Sequence, residues 1–290
     1  MRSGTNFLHD LIRLHPDCAI DAEKNFIWED FHLHHADSLL AYAHNVSQHW
    51  SLETIDAPQS RLLKSLGDGI LSFLSAEIGG RRLLTKTPGV QHLSHFFQLF
   101  PDAQLLVIVR DGRSVAESGA RGFDWNPEAV LRYWSKAAQT ILDFQAANPL
   151  GKRWLLIRYE DVVASPQTEL LKILEFLGLE PALYDFEAAC GLPVRGSSLY
   201  GKQADQVHWT PIDRPADFTT QAATRFKGWS PWQHSRANHL AGRQLVGLGY
   251  TLEPGLPTGL GRLGNLLADA RWQVREILKG VYHQLRSWRG

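Results

Sequence analysis

Cysteine is scarce in this chain: of 290 residues only Cys18 and Cys190 carry thiols, far apart in sequence. That scarcity excludes a disulfide-stapled scaffold and leads to the expectation of a reducing, cytoplasmic setting. No stretch approaches the roughly 18 consecutive apolar residues of a membrane-spanning helix, and the N-terminus shows no signal-peptide pattern. Neither sign of charge is in excess. With 30 Lys and Arg against 30 Asp and Glu, the chain is not a nucleic-acid binder that works by bulk attraction. Internal repeats, low-complexity tracts and convincing linkers are also missing. Apolar residues, by contrast, make up 44% of the chain, enough for one substantial core with a small helical elaboration.

Hydrophobic periodicity divides the chain into alternating elements. Leu8, Leu11, Ile12 and Leu14 recur at helical spacing directly after the opening turn. "CAIDAEKNFIW" (18–28) reads as a short strand entering a polar loop, and residues 30–80 are helix-like. "RRLLTKTP" (81–88) reads as a strand and "GVQHLSHFFQLFP" (89–101) as an amphipathic helix. "AQLLVIV" (103–109) is a continuous apolar run of the kind buried on both faces in a parallel sheet. Helices are expected over 127–147 and 165–179, the second marked by Ser165, Pro166 and Gly178, with a strand in "RWLLIRYED" (153–161) between them. Residues 190–233 read as a long ordered loop, and two last helices cover 234–248 and 262–287. This alternation predicts an α/β sandwich around a mostly parallel sheet.

Two stretches carry chemistry. In "MRSGTNFL", a tight turn opens a helix, where backbone N–H groups point outward and favour an anion. Gly4 permits close approach, Thr5 adds a hydroxyl, and Arg2 offers a charged fork suited to phosphate-like oxygens. The same residues also suit an ordinary helix cap. The Gly-Lys-Ser/Thr of the nucleotide triphosphatase loop is missing. In "LLVIVRDGRSVAES", Arg110 stands at the C-terminal end of a buried strand, where α/β folds bind ligands, and Ser118 lies on the next helix. A structural bridge from Arg110 to Asp111 or another carboxylate is the competing reading. Two anion sites without an evident magnesium carboxylate suit a nucleotide phosphorylated at both ends of its ribose. "FHLHH" (31–35) lacks an accompanying ligand set, so no metal is expected.

These stretches resemble two motifs of sulfotransferases that use 3′-phosphoadenosine 5′-phosphosulfate. "RSGTNFL" is similar to their 5′-phosphosulfate loop and "VRDGRSVAES" to their 3′-phosphate motif. "HPD", "KTP", "FPDAQLLVIVRD", "LLIRYED", "FLGL" and "LVGLGY" follow in the family's order, over roughly residues 2–250. The likeness is closer to the bacterial, carbohydrate and tyrosylprotein branches than to the cytosolic small-phenol branch. It implies a P-loop-type three-layer sandwich that moves a sulfuryl group to a hydroxyl of a sugar, lipid or small-molecule acceptor. Arg2, Ser3, Gly4, Thr5 and Asn6 would then hold the 5′-phosphosulfate, and Arg110 and Ser118 the 3′-phosphate. Glu23 lies 21 residues after Arg2, the spacing of the base in the tyrosylprotein branch; Glu29, Asp21 and Asp30 are weaker rivals. Lys24 and Asn25 stand where relatives often carry a further basic residue. Lys86 would neutralise charge on the sulfuryl or leaving oxygens. Ser198, Arg225 and Lys227 match segments that fold over the nucleotide.

Relatives place a short apolar strand immediately before the Arg that matches Arg2. The sheet is therefore expected to lack its first strand, with Met1 an internal start or a truncation point. A P-loop kinase of related fold, or a truncated nucleotide binder without turnover, remain as alternatives. The expected division is a domain over 1–250 and an extension over 251–290. In the extension, Leu263, Leu267, Ala270, Val274, Ile277, Val281 and Leu285 share one helix face. Six basic residues over 262–289 against Asp269 and Glu276 make peripheral membrane contact the sharper alternative to packing on its own domain.

Overall fold

The computed structural model describes residues 3–18, 36–50, 56–76, 78, 81–149, 153–192 and 224–287. Two compact units divide the chain, Met1–Arg225 and Phe226–Gly290. The first carries helices α1 (Thr5–Ile12), α2 (Ala36–His49), α3 (Pro58–Ala76) and α4 (Phe96–Leu99), then strand β1 (Leu105–Val109). Helices α5 (Gly112–Phe123) and α6 (Pro127–Ala147) lead to β2 (Trp154–Arg158), followed by α7 (Tyr159–Ala164), α8 (Pro166–Leu177) and α9 (Phe186–Gly191). The second unit carries α10 (Pro231–Gly247) and α11 (Thr258–Ser287).

Strands β1 and β2 run parallel, with Leu105 opposite Trp154 and Val109 opposite Arg158. A parallel pair needs a crossover, and α5 with α6 supplies it. Side chains on the pair sort with period two. Leu106, Ile108, Leu155 and Ile157 pack into a core with Leu11 and Ile12 of α1, Val162 of α7 and Leu174 of α8. On the opposite face, Leu105 packs against a cluster built on Leu63, Phe96, Leu99 and Phe100. Trp154 meets Phe144 of α6 edge-on, with ring centroids 5.1 Å apart. Helices thus cover both faces of the strands, the α/β layering expected of "LLVIV" and "WLLIR".

Local chemistry sets most helix ends. Asn126 caps α6, its side-chain oxygen accepting from Ala129 N–H at 3.0 Å, with Pro127 in the first turn. Gly178 ends α8 in the left-handed conformation at φ +64°. Ser165 occupies the cap position of α8, but its hydroxyl makes no cap hydrogen bond.

Three expectations need adjustment. The strand read over 153–161 stops at Arg158, because Tyr159, Glu160 and Asp161 open α7, where acidic side chains favour a helix N-terminus. The helix read over 89–101 shortens to a 3₁₀ turn, Leu93–His95, and α4; Pro88 and Gly89 ahead of it disfavour an earlier start. Residues 81–88 form no continuous strand, with a single bridge at Lys86. The strand read over 18–28 and most of the long loop read over 190–233 lie outside the described residues.

In the second unit, Ser230 and Gln233 form a reciprocal capping box at the start of α10. Arg236 of α10 donates to the backbone oxygen of Asn265 at 3.3 Å and to Asp269 Oδ1 at 2.7 Å, tying α10 to α11.

Candidate active site

Three helices, α1, α5 and α7, begin at the end of the sheet where β1 and β2 both finish. Gly4 occupies the N-cap position of α1 at φ +93°, a backbone conformation that favours glycine. A Cβ added there would lie 2.5 Å from Tyr159 Cδ2 and 3.5 Å from Ile108 Cδ1. The opening turn therefore lies flat against residues at the ends of both strands, and only glycine permits that approach. Gly4 also has no side chain to cap the helix, so the first N–H groups of α1 open outward and can receive an anion. Ser3, Thr5 and Asn6 are half-buried around this turn.

Arg110 follows β1 directly and is buried. Its guanidinium carbon stands 4.7 Å from the centroid of the Tyr159 ring, a cation–π contact. Its backbone carbonyl accepts from Trp134 Nε1 at 2.9 Å, and Gly112 makes room for that indole, since a Cβ there would lie 2.5 Å from Trp134 Cδ2. Ser118 lies farther along α5 and is also buried.

Asp111 has a different task. Its Oδ1 accepts from the Arg113 N–H at 2.9 Å and from Nε at 3.0 Å, while Oδ2 accepts from Nη2 at 2.7 Å. Both carboxylate oxygens are thereby committed to one buried arginine, and the same bonds cap α5. Asp111 N–H donates in turn to Glu160 Oε1 at 2.9 Å, joining the exits of β1 and β2.

Tyr159 links the two halves. Gly4 lies against the edge of its ring at Cδ2 and Cε2, the Arg110 guanidinium stands over the ring, and Phe7 of α1 meets it edge-on at 5.9 Å. The opening turn and Arg110, about a hundred residues apart in sequence, thus meet the same phenol ring.

A cavity of about 450 Å³ lies beside this arrangement. Thr5 and His9 of α1, the bridge residue Lys86, and Leu106 and Ile108 of β1 all line it. Lys86 and Thr5 therefore line the same cavity. His9 is 2% exposed, and neither ring nitrogen makes a hydrogen bond; the Asp10 carboxylate approaches to 3.7 Å.

The structure thus brings together Gly4 and Arg110 at one end of the strands, with Ser118 on the helix that follows Arg110, while Thr5 and Lys86 line one cavity. Arg2, Glu23 and Ser198 lie outside the described residues, as does the histidine stretch 31–35. Arg225 is half-buried and Lys227 exposed on the 3₁₀ turn Arg225–Gly228. Sequence reasoning passed over Tyr159, Glu160 and Trp134. The first two follow the apolar run of β2, where an aromatic and an acid at a strand exit are a usable signal. Trp134 carried no signal beyond its helical spacing.

An α/β layering with an uncapped glycine turn and a buried arginine at the same strand ends is an arrangement suited to an anion. Comparison with known proteins gives the family. A sequence profile described as "Sulfotransferase family" matches residues 1–183, and the chain belongs to that family of transferases. It is 25% identical over 194 residues to protein-tyrosine sulfotransferase of Drosophila melanogaster, covering 61% of this chain and 36% of that protein. It is also 25% identical over 197 residues to protein-tyrosine sulfotransferase A of Caenorhabditis elegans, covering 61% and 48%. The chain therefore spans about half or less of the length of these relatives. In structure it resembles the sulfotransferase domain from the curacin biosynthetic pathway, with a TM-score of 0.52 and 21% identity over 87% of this chain and 95% of that one. That likeness shows the fold.

Proposed function

We propose that the chain transfers a sulfuryl group from 3′-phosphoadenosine 5′-phosphosulfate to a hydroxyl of a sugar, lipid or small-molecule acceptor. The observation that carries this reading is the meeting of the Gly4 turn and Arg110 on Tyr159. A donor phosphorylated at both ends of its ribose needs two cationic or N–H-rich sites at one nucleoside's span. The backbone cradle at Gly4, which a single methyl group would fill, is the kind of site its 5′ end needs. Arg110 and Ser118 receive its 3′-phosphate, and Arg2, Ser3, Thr5 and Asn6 surround the sulfuryl end.

Transfer is an in-line displacement. The acceptor oxygen forms a bond to sulfur as the bond from sulfur to the bridging phosphate oxygen breaks, and the electron pair leaves with the nucleotide. Glu23 takes the proton from the acceptor hydroxyl. Lys86 neutralises charge gathering on the bridging oxygen. Orientation and fixed positive charge lower the barrier, with no metal assigned.

The kinase alternative finds little support at β1. The carboxylate at that strand end, Asp111, already gives both oxygens to Arg113. Relatives named for protein tyrosine make a tyrosyl hydroxyl one acceptor to include in a screen. The test is calorimetric titration of the purified chain with 3′-phosphoadenosine 5′-phosphate and, separately, with ATP and magnesium. It is followed by assay of desulfated nucleotide release across sugar, lipid, phenolic and tyrosyl-peptide acceptors. Binding of the bisphosphate with acceptor-dependent release is expected. Preference for ATP–magnesium would replace this reading with a kinase, and binding without release for any acceptor would leave a nucleotide binder.

A further inference from the structure

Helix α11 has two unlike faces. Over its first turns, Asn265 and Asp269 face α10, where Arg236 donates to both residues and His239 Nε2 lies 2.7 Å from Asp269 Oδ2. The opposite side carries Leu260, Leu263, Leu267, Val274, Ile277 and Val281, spaced three, four or seven residues apart, and Leu266 and Leu278 widen the stripe. These side chains are 47% to 66% exposed. Single exposed leucines are ordinary, but eight large apolar side chains on one face are not. At 100° per residue the stripe is about 120° wide, and at 1.5 Å per residue the helix is about 45 Å long.

Charge around the stripe has one sign. Arg271 and Arg275 flank one edge, Arg262 lies toward the other, and all three are exposed. The helix has only two acids, Asp269 and Glu276, and both project from the side away from the stripe. Asp269 is engaged by α10, and Glu276 is held by Lys279 at 2.7 Å. Among the described residues of α11, no acid lies within the apolar stripe.

We infer that α11 docks in the plane of a lipid bilayer, with its apolar stripe in the acyl boundary and its arginines on anionic headgroups. No helix among the described residues is long and apolar enough to cross a membrane, so the contact lies along the surface. Pairing with a second copy fits less well. Leu260, Leu267, Val274 and Val281 do repeat every seven residues, as a two-helix seam requires. The positions that would flank that seam are Gly259, Leu266, Gln273 and Gly280 on one side and Gly264, Arg271 and Leu278 on the other. They offer no oppositely charged partners to fix a pairing, and the stripe is wider than such a seam. This inference does not depend on the proposed transfer activity.

The test is co-flotation of the full chain with phosphatidylcholine vesicles, with and without about one-third phosphatidylserine. The wild-type chain is expected to bind the anionic vesicles about tenfold or more better than the neutral ones, with the preference lost in high salt. The doubly substituted Leu267→Glu, Ile277→Glu chain should stay in solution and keep its thermal unfolding midpoint, since both side chains are already exposed. Arg271→Gln with Arg275→Gln should reduce the phosphatidylserine preference while retaining weak binding to both vesicle types. Equal binding to neutral and anionic vesicles would overturn the inference. So would absence of vesicle binding by a chain that sediments as a dimer and becomes monomeric in the Leu267→Glu, Ile277→Glu variant.

Discussion

Replacing Gly4 by alanine tests whether the opening turn rests on Tyr159. At φ +93° an L-residue with a side chain is strained by about 1–2 kcal/mol. The added methyl would also start 2.5 Å from Tyr159 Cδ2, so the ring must move. Tyr159 is buried and packed against Phe7 and Arg110, and overfilling such a site costs about 1–3 kcal/mol more. Gly4→Ala should therefore lose about 2–5 kcal/mol in urea denaturation, read as a lower midpoint at constant slope. Tyr159→Ala alone should lose about 3–5 kcal/mol, from removal of a buried aromatic. It also removes the clash, so the double variant should be less destabilised than the two single losses combined, by about 1 kcal/mol or more. A Gly4→Ala chain within about 0.5 kcal/mol of wild type, or additive losses in the double variant, would refute the contact.

Asp111→Ala should destabilise the chain by about 3–5 kcal/mol, because Arg113 would keep a buried charge with its bidentate partner gone; urea denaturation measures it. Glu23→Gln should keep nucleotide affinity by calorimetry and lose sulfuryl transfer; full transfer by that variant would remove Glu23 as the base. Burial pushes the Cys18 thiol up, against the pull of Arg82, and burial also holds the Tyr184 phenol well above the ordinary tyrosine range. Both groups hold their protons in the folded chain at a pH where the unfolded chain releases them. Stability should therefore fall as pH rises beyond about 8.5, seen as lower urea midpoints at alkaline pH.

The elements that sequence reasoning located share a local cause. Asn126 and Pro127 mark the start of α6, Pro166 and Gly178 bracket α8, and five consecutive apolar residues make β1. Each depends on residues within a few positions of one another. The misread boundaries depend on competition between neighbouring signals. "RYED" continues an apolar strand on paper, yet Glu160 and Asp161 favour the first turn of a helix, and Glu160 is needed there to receive the Asp111 N–H. The site divides in the same way. Gly4 and Arg110 each announce an anion site through a local pattern. Their meeting on Tyr159 is long-range, and no spacing rule encodes it. The partner of Asp111 turned on geometry too: two positions into α5, Arg113 reaches back to both oxygens of the residue that caps its own helix.

The central claim is that the Gly4 turn and Arg110 hold the two ends of one nucleotide. The direct measurement is the affinity of wild-type and Arg110→Ala chains for 3′-phosphoadenosine 5′-phosphate, adenosine 5′-phosphate and adenosine 3′-phosphate. Wild type should bind the bisphosphate far more tightly than either monophosphate. Arg110→Ala should weaken bisphosphate binding about 10- to 100-fold, the worth of one charged hydrogen bond, and leave adenosine 5′-phosphate nearly unchanged. Equal loss for both 5′-phosphorylated ligands, or no loss for the bisphosphate, would contradict the two-ended site.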